Sequence, residues 1–124
     1  MTAYFTAGAC ALVAAGLLLM AGANSASAKP RAYEGKWAPK LAQCRNPQDT
    51  LDAPWIVTRN GYNQFETHCT FSNVTGGGKL WRANVKCLVE GSVEADKFVM
   101  RVVGSQLRIA QSTPAGAYVL HRCR

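Results

Sequence analysis

The sequence predicts an all-β protein: a small antiparallel meander of about seven strands, closed or nearly closed into a barrel and held by two disulfides. A sandwich is the other architecture open to it. Three observations predict this class. After Gly35, apolar and polar residues alternate with a period of two, the pattern of a sheet with one face buried and one solvated. Turn dipeptides punctuate the alternation at hairpin spacing. Four of the five cysteines fall inside the alternating region.

The first 28 residues stand apart from this pattern. Ala7 to Ala23 is an apolar run without a charge, followed by "NSASA", in which Ala26-Ser27-Ala28 fits the small-x-small cleavage site of a secretory signal peptide. The run is marginal for a membrane span, which needs roughly 20 apolar residues, and no Lys or Arg follows it directly as a stop signal. Cys10 precedes most of the run and lacks the flanks of a lipid-attachment cysteine. The expectation is cleavage after Ala28, leaving an unanchored periplasmic or secreted domain over 29–124. Removing 28 of the 124 residues leaves 96 and retains all 14 Lys and Arg and all 7 acids, hence the whole net charge of +7. Such a length builds one domain with a modest core.

Each element follows in order. A first strand lies around "YEGKWAP", where Pro39 ends pairing, and "CRNPQDTLDAP" is a long irregular loop. "WIVTR" and "YNQFETHCTF" flank Asn60-Gly61, read as a type I′ hairpin with positive φ at both central residues. "NVTGGGK" reads as a flexible connection. In "LWRANVKCLVE", Trp81, Ala83, Val85, Cys87 and Val89 share the inner face, with Arg82, Asn84, Lys86 and Glu90 outside. In "DKFVMRVV", Phe98, Met100 and Val102 face inward and Lys97 and Arg101 outward, with β-branched residues supporting the strand. Gly91-Ser92 and Gly104-Ser105 mark further turns, and "STPAG" precedes a closing strand in "AYVLHRCR". No helix is expected.

Cys44, Cys69, Cys87 and Cys123 form an even set in a small exported domain, the signature of two disulfides. No C-x-x-C pair points to zinc or thiol redox chemistry. Three pairings are possible. In a meander, Cys44 at the exit of the first strand and Cys69 near the exit of the third share an end, which favours Cys44–Cys69 with Cys87–Cys123.

"ETHC", Glu66 to Cys69, contains the residue types of a nucleophilic or metal site. On a strand, however, Glu66 and His68 share one face while Phe65, Cys69 and Phe71 take the other. A Cys–His dyad needs both groups within about 3 Å, so the segment reads as a stapled strand. His68 and His121 are the only histidines. No metal, cofactor or catalytic residue is expected: the G-x-S-x-G, H-E-x-x-H, P-loop and dinucleotide frames are missing, and "TGGGK" lacks the frame and following helix of a phosphate loop. The reading is a binder rather than an enzyme.

Charge carries the remaining functional signal. Arg82 and Lys86 on one strand and Lys97 and Arg101 on another form a basic stripe if the strands are neighbours. An exported domain whose Trp81 and Phe98 face inward has no stacking platform for nucleic acid, so the stripe points to an anionic envelope polymer or lipid.

"EGKW…C", "FETHCTF", "LWRANVKC" and a closing "YVLHRC" resemble small disulfide-bonded periplasmic proteins of Gram-negative bacteria, and Gly35-x-Trp37 resembles the G-x-W opening of lipocalin-like barrels. Better-understood proteins of similar layout are periplasmic lysozyme inhibitors and G-x-W metalloprotease inhibitors. The resemblance implies inhibition of a hydrolase, with a cell-wall hydrolase ahead of a protease, by insertion of rigid segments. It points to the tail (Lys29, Pro30, Arg31, Tyr33), the glycine segment (Thr75, Gly76, Gly77, Lys79) and "STPAGAY" (Ser112 to Tyr118). "STPAGAY" has the residues of the lysozyme inhibitors' Ser-Gly-x-x-Tyr loop but not its spacing. A small-ligand barrel would need an interior cavity, against which the many large core residues argue.

Overall fold

The computed structural model describes residues 28–112 and 116–124; the expected signal segment lies outside them except for Ala28. Eight strands among the described residues form one closed antiparallel barrel in chain order. They are β1 (Gly35–Ala38), β2 (Trp55–Thr58), β3 (Gly61–Gln64), β4 (Thr67–Gly77), β5 (Leu80–Val89), β6 (Ser92–Val103), β7 (Gln106–Gln111) and β8 (Ala117–Arg122). A five-residue 3-10 helix (Leu41–Arg45) lies in the long β1–β2 connection, where only irregular chain was expected.

The eighth strand arises inside "YNQFETHCTF". Phe65 takes a positive φ of 52°, and the chain reverses over Phe65-Glu66 so that Gln64 pairs with Thr67 and Tyr62 with Cys69. Neither turn residue is Gly or Asn, so the reversal carries no ordinary turn signal. The β2–β3 hairpin exists but is not type I′. Its turn is Arg59-Asn60, with Thr58 opposite Gly61 and neither turn residue at positive φ. Gly61 is needed for a different reason: a Cβ there would collide with the carbonyl of Cys69 on β4. "NVTGGGK" is mostly strand rather than flexible connection. Asn73, at φ 49°, sits in a bulge between Ser72 and Thr75, after which β4 pairs on to Gly77 opposite Leu80.

The disulfides join Cys44 to Cys123 and Cys69 to Cys87, which corrects the expected pairing. Because of the reversal at Phe65, Cys69 lies near the start of β4, directly opposite Cys87 on β5. The 3-10 helix, packed beside β1, sets Cys44 next to the C-terminal strand.

The barrel closes where β1 meets β8 through just two residue pairs, Trp37 with Arg122 and Ala38 with His121. Side chains reinforce this short seam. The Arg122 guanidinium stacks 4.0 Å from the Trp37 ring and donates to the carbonyls of Ala32 at 2.9 Å and Glu34 at 3.3 Å. Trp37 Nε1 donates to the Tyr33 carbonyl at 2.9 Å. Gly35, at φ 143°, leaves the space that Arg122 occupies. Ring contacts then run the length of the interior, from Tyr118, Trp55 and Tyr62 at one end through Phe98 and Phe71 to Tyr33 and Trp81 at the other.

Removing this closure is costly. Arg122→Ala is expected to lower stability by about 3 kcal/mol, the sum of a partly desolvated cation–π contact and charge-assisted hydrogen bonds. Arg122→Lys recovers only part of the loss, since an ammonium cannot stack and fork at once. Urea denaturation midpoints measure both variants. Loop length also ranks the bridges. The Cys44–Cys123 loop spans 79 residues and the Cys69–Cys87 loop 18. Chain entropy therefore predicts losses of about 4.5 and about 3 kcal/mol for the respective paired Cys→Ser variants.

Candidate functional site

Three surfaces deserve comparison: the outer wall of β5–β7 and the two ends of the barrel. On the wall, the strand register brings the expected basic residues together. Lys97 pairs with Asn84 and so lies diagonal to both Arg82 and Lys86, within reach for long side chains. Arg101 is directly opposite Arg108 on β7, a fifth cation that the sequence reading did not include. All five are exposed, and no outward-facing position of β5, β6 or β7 is acidic. Like charges directly opposite on a sheet destabilise it, so folding alone does not favour the Arg101–Arg108 pair.

At one end, the tail and the tip of the β4–β5 hairpin meet. Arg59 in the β2–β3 turn donates to the Lys29 carbonyl at 2.9 Å, and its guanidinium lies 3.7 Å from the Glu34 carboxylate. Glu34 in turn accepts from the Arg31 amide at 2.6 Å. Arg31 covers the Trp81 ring at 4.9 Å, and Trp81 Nε1 donates to the Gly78 carbonyl at 3.0 Å. Lys29, Pro30, Arg31, Gly78, Lys79 and Trp81 thereby line a single shallow cleft. Tyr33, expected in a contact tail, is instead fully buried. Its hydroxyl donates to the Arg59 carbonyl at 2.9 Å and accepts from Arg31 at 3.0 Å, so it plugs this end of the barrel. Thr75, Gly76 and Gly77 are exposed residues of β4. In the third segment, residues 113–115 lie outside the described residues. Its flanks, Ser112 and Tyr118, belong to the opposite end, so the three expected contact segments do not form one surface.

That opposite end is open. A cavity of about 600 Å³ enters the barrel there, a size typical of small-molecule sites and contrary to the expectation of a filled interior. Trp55 stacks on Tyr62 with centroids 4.3 Å apart, and Tyr118 leans on Trp55 at 5.0 Å. Glu94, Asp96, Gln64 and Gln111 supply the polar lining, with the Cys87 side of a disulfide in the wall. The Tyr62 phenol is pushed well above its ordinary range, first by burial and then by Tyr118, Asp96 and Glu94. Both disfavour a phenolate. Of these mouth residues only Tyr118 was expected at a contact surface, although one signal for the acids was there. Extending the inward set Phe98, Met100 and Val102 back by twos places Asp96 and Glu94 on the inner face.

The "ETHC" segment behaves as a stapled strand. Glu66 lies in the β3–β4 turn, His68 is exposed with its Nδ1 2.8 Å from Asn63 Oδ1, and Cys69 is buried in its disulfide. Phe65, expected on the buried face with Cys69, is in the turn and only half-buried. Among the described residues no group of three or more His, Cys, Asp or Glu side chains is arranged to hold a metal ion. The two disulfides are bonds of an oxidising, extracellular-type compartment. Compared with known proteins, the chain matches no family model, no curated protein and no solved structure.

The position of Tyr62 gives a pH dependence. The unfolded chain releases this proton near pH 10, whereas the folded chain holds it to higher pH. The unfolded state therefore binds fewer protons above about pH 10, and stability falls as pH rises past that point. Thermal melts from pH 8 to 11 are expected to fall less steeply for Tyr62→Phe than for the native chain.

Proposed function

We propose that this is a non-catalytic, periplasmic or secreted binding domain that holds an anionic envelope glycan against the outer face of β5–β7. The observation that carries the reading is the register that sets Arg82, Lys86, Lys97, Arg101 and Arg108 side by side with no acid among them. A rigid sheet presents these charges at strand spacing, so a polyanion gains several contacts at once without ordering the protein. The Arg101–Arg108 repulsion is relieved when an anion bridges the pair.

Binding to lipopolysaccharide, with neutral dextran as the control, tests this. Affinity is expected to fall steeply with salt, because the contacts are exposed and screened. The combined Arg82→Glu, Lys86→Glu, Lys97→Glu and Arg101→Glu variant is expected to bind about thirtyfold more weakly at low salt, at a modest contribution per exposed pair. Salt-independent binding, or an unchanged affinity in the correctly folded variant, would refute the reading.

The cleft between the tail and the β4–β5 hairpin favours a second reading, inhibition of a cell-wall hydrolase or a protease. Lys29 and Arg31 are tied to the barrel rather than trailing from it, and a preorganised edge loses little entropy on docking. Under this reading the disulfide-bonded domain suppresses envelope hydrolase activity at micromolar excess, and Lys79→Glu, exposed beside the hairpin turn, weakens the suppression. Activity unchanged by the intact domain would remove this option.

A further inference from the structure

The open end of the barrel has a chemistry opposite to the rest of the molecule. In a chain of net charge +7, the ionised groups lining the mouth are the carboxylates of Glu94 and Asp96, and no Lys or Arg joins them. Aromatic rings make the apolar wall: Trp55 and Tyr62 stacked, and Tyr118 leaning over Trp55 at the rim. Trp55 and Tyr62 are each only 7 % exposed, so they present ring faces and edges to the cavity from fixed positions.

The amide side chains of the mouth add acceptors beside the Thr67, Tyr62 and Tyr118 hydroxyls. Gln111 lines it, and its Oε1 is a buried acceptor without a hydrogen-bond partner. A buried acceptor left unmatched is costly, and native structures rarely keep one without a reason. Gln64 has its amide nitrogen committed to the carbonyls of Leu51 and Ala53 at 2.9 and 3.1 Å, so the group it retains is an acceptor as well. The raised pKa of Tyr62 reports the same surroundings, a phenol held neutral by burial and by nearby negative charge.

We infer that the barrel mouth is a binding site for a small organic cation, a protonated amine carried on an apolar body. The ammonium group sits beside the Gln111 amide, in the field of Glu94 and of Asp96, whose Oδ1 accepts from Ser112 and from the Lys97 amide. Its apolar body lies against the rings of Trp55, Tyr62 and Tyr118, where cation–π attraction adds to area burial. An anion is repelled by the same carboxylates, and a neutral alcohol forfeits the charge term. The cavity volume suits a ligand with about ten to twenty heavy atoms. This site is at the end of the barrel away from the tail cleft and on the inside of the wall whose outer face is basic, so it does not depend on the function proposed above.

Titration of the disulfide-bonded chain with phenethylammonium, 2-phenylethanol and phenylacetate, followed by amide and indole NMR shifts, tests the inference. Phenethylammonium is expected to give saturable shifts at the Trp55 indole and at the amides of Glu94, Gln111 and Tyr118. The Trp81 indole at the far end stays still. Affinity for 2-phenylethanol is expected to be about tenfold lower and for phenylacetate lower again. Glu94 is exposed, so Glu94→Gln leaves the fold intact and weakens the amine about fivefold while leaving the alcohol unchanged. Tyr118→Ala weakens both. Equal affinity for amine and alcohol, an amine affinity unmoved by Glu94→Gln, or no saturable shift at Trp55 would each overturn the assignment.

Discussion

The structure depends on the Arg122 guanidinium lying against the Trp37 ring. A barrel is stable because it has no free edges, yet β1 is four residues long and meets β8 through two residue pairs. That seam is too short to hold by backbone pairing alone. Arg122 completes it by donating to carbonyls of the segment leading into β1, and Gly35 lets the guanidinium approach. The Cys44–Cys123 bridge begins one residue beyond Arg122, so the covalent staple sits where the noncovalent closure is needed. Opening the seam would expose unpaired edges on both β1 and β8, the ordinary template for aggregation.

Closure at this end sets the polarity of the molecule. Tyr33, held between Arg31 and the Arg59 carbonyl, caps the interior, and the column of rings above it fills the barrel as far as Trp55 and Tyr62. At the other end a mouth opens among Pro39, Trp55, Glu94 and Tyr118. Charge divides accordingly. Cations occupy the wall of β5–β7 and the capped end, while Glu94 and Asp96 look into the mouth. A formal charge of +7 describes no single face of this protein, and a binding argument from net charge alone would miss the acidic cavity.

Much of the barrel was legible from residue alternation because period two is a direct consequence of strand geometry. "LWRANVKCLVE" and "DKFVMRVV" show it, and apart from Glu90, which lies in the turn after β5, the inner and outer sets read from them are the ones the structure uses, which is why the basic wall could be assembled from sequence. What escaped were events that leave no periodic trace. Phe65 reverses the chain at positive φ without Gly or Asn, and missing that turn merged β3 with β4. One lost reversal then put Cys69 at the wrong place in the meander and gave the wrong disulfide pairs. Asn73 makes a bulge where glycines suggested a loose connection. The mouth escaped for another reason: it is built from seven strands whose proximity is a property of closure, and Glu94 and Asp96 read locally as solvated acids.

The wall that separates the two charged surfaces is a single strand thick. On β6, Glu94 and Asp96 point into the mouth while Lys97 and Arg101 point outward, with Phe98 and Met100 anchoring the inner set in the core. Because side chains alternate, a slip of one residue would turn the cations inward and the acids outward together. Neither surface can be lost without the other. The register is fixed at one end by the Glu90-Gly91 turn, whose two residues both take positive φ, 47° and 85°, the geometry that matches the twist of a tight hairpin. At the other end Val103 and Gln106 close around Gly104, at φ 58°. Between them, ten residue pairs with β5 and six with β7 hold β6 along its whole length. The strand that carries both fields is thus pinned in register at both ends and along both edges, so opposite charges stand back to back across one layer of backbone without a shift in pairing that would bring them together.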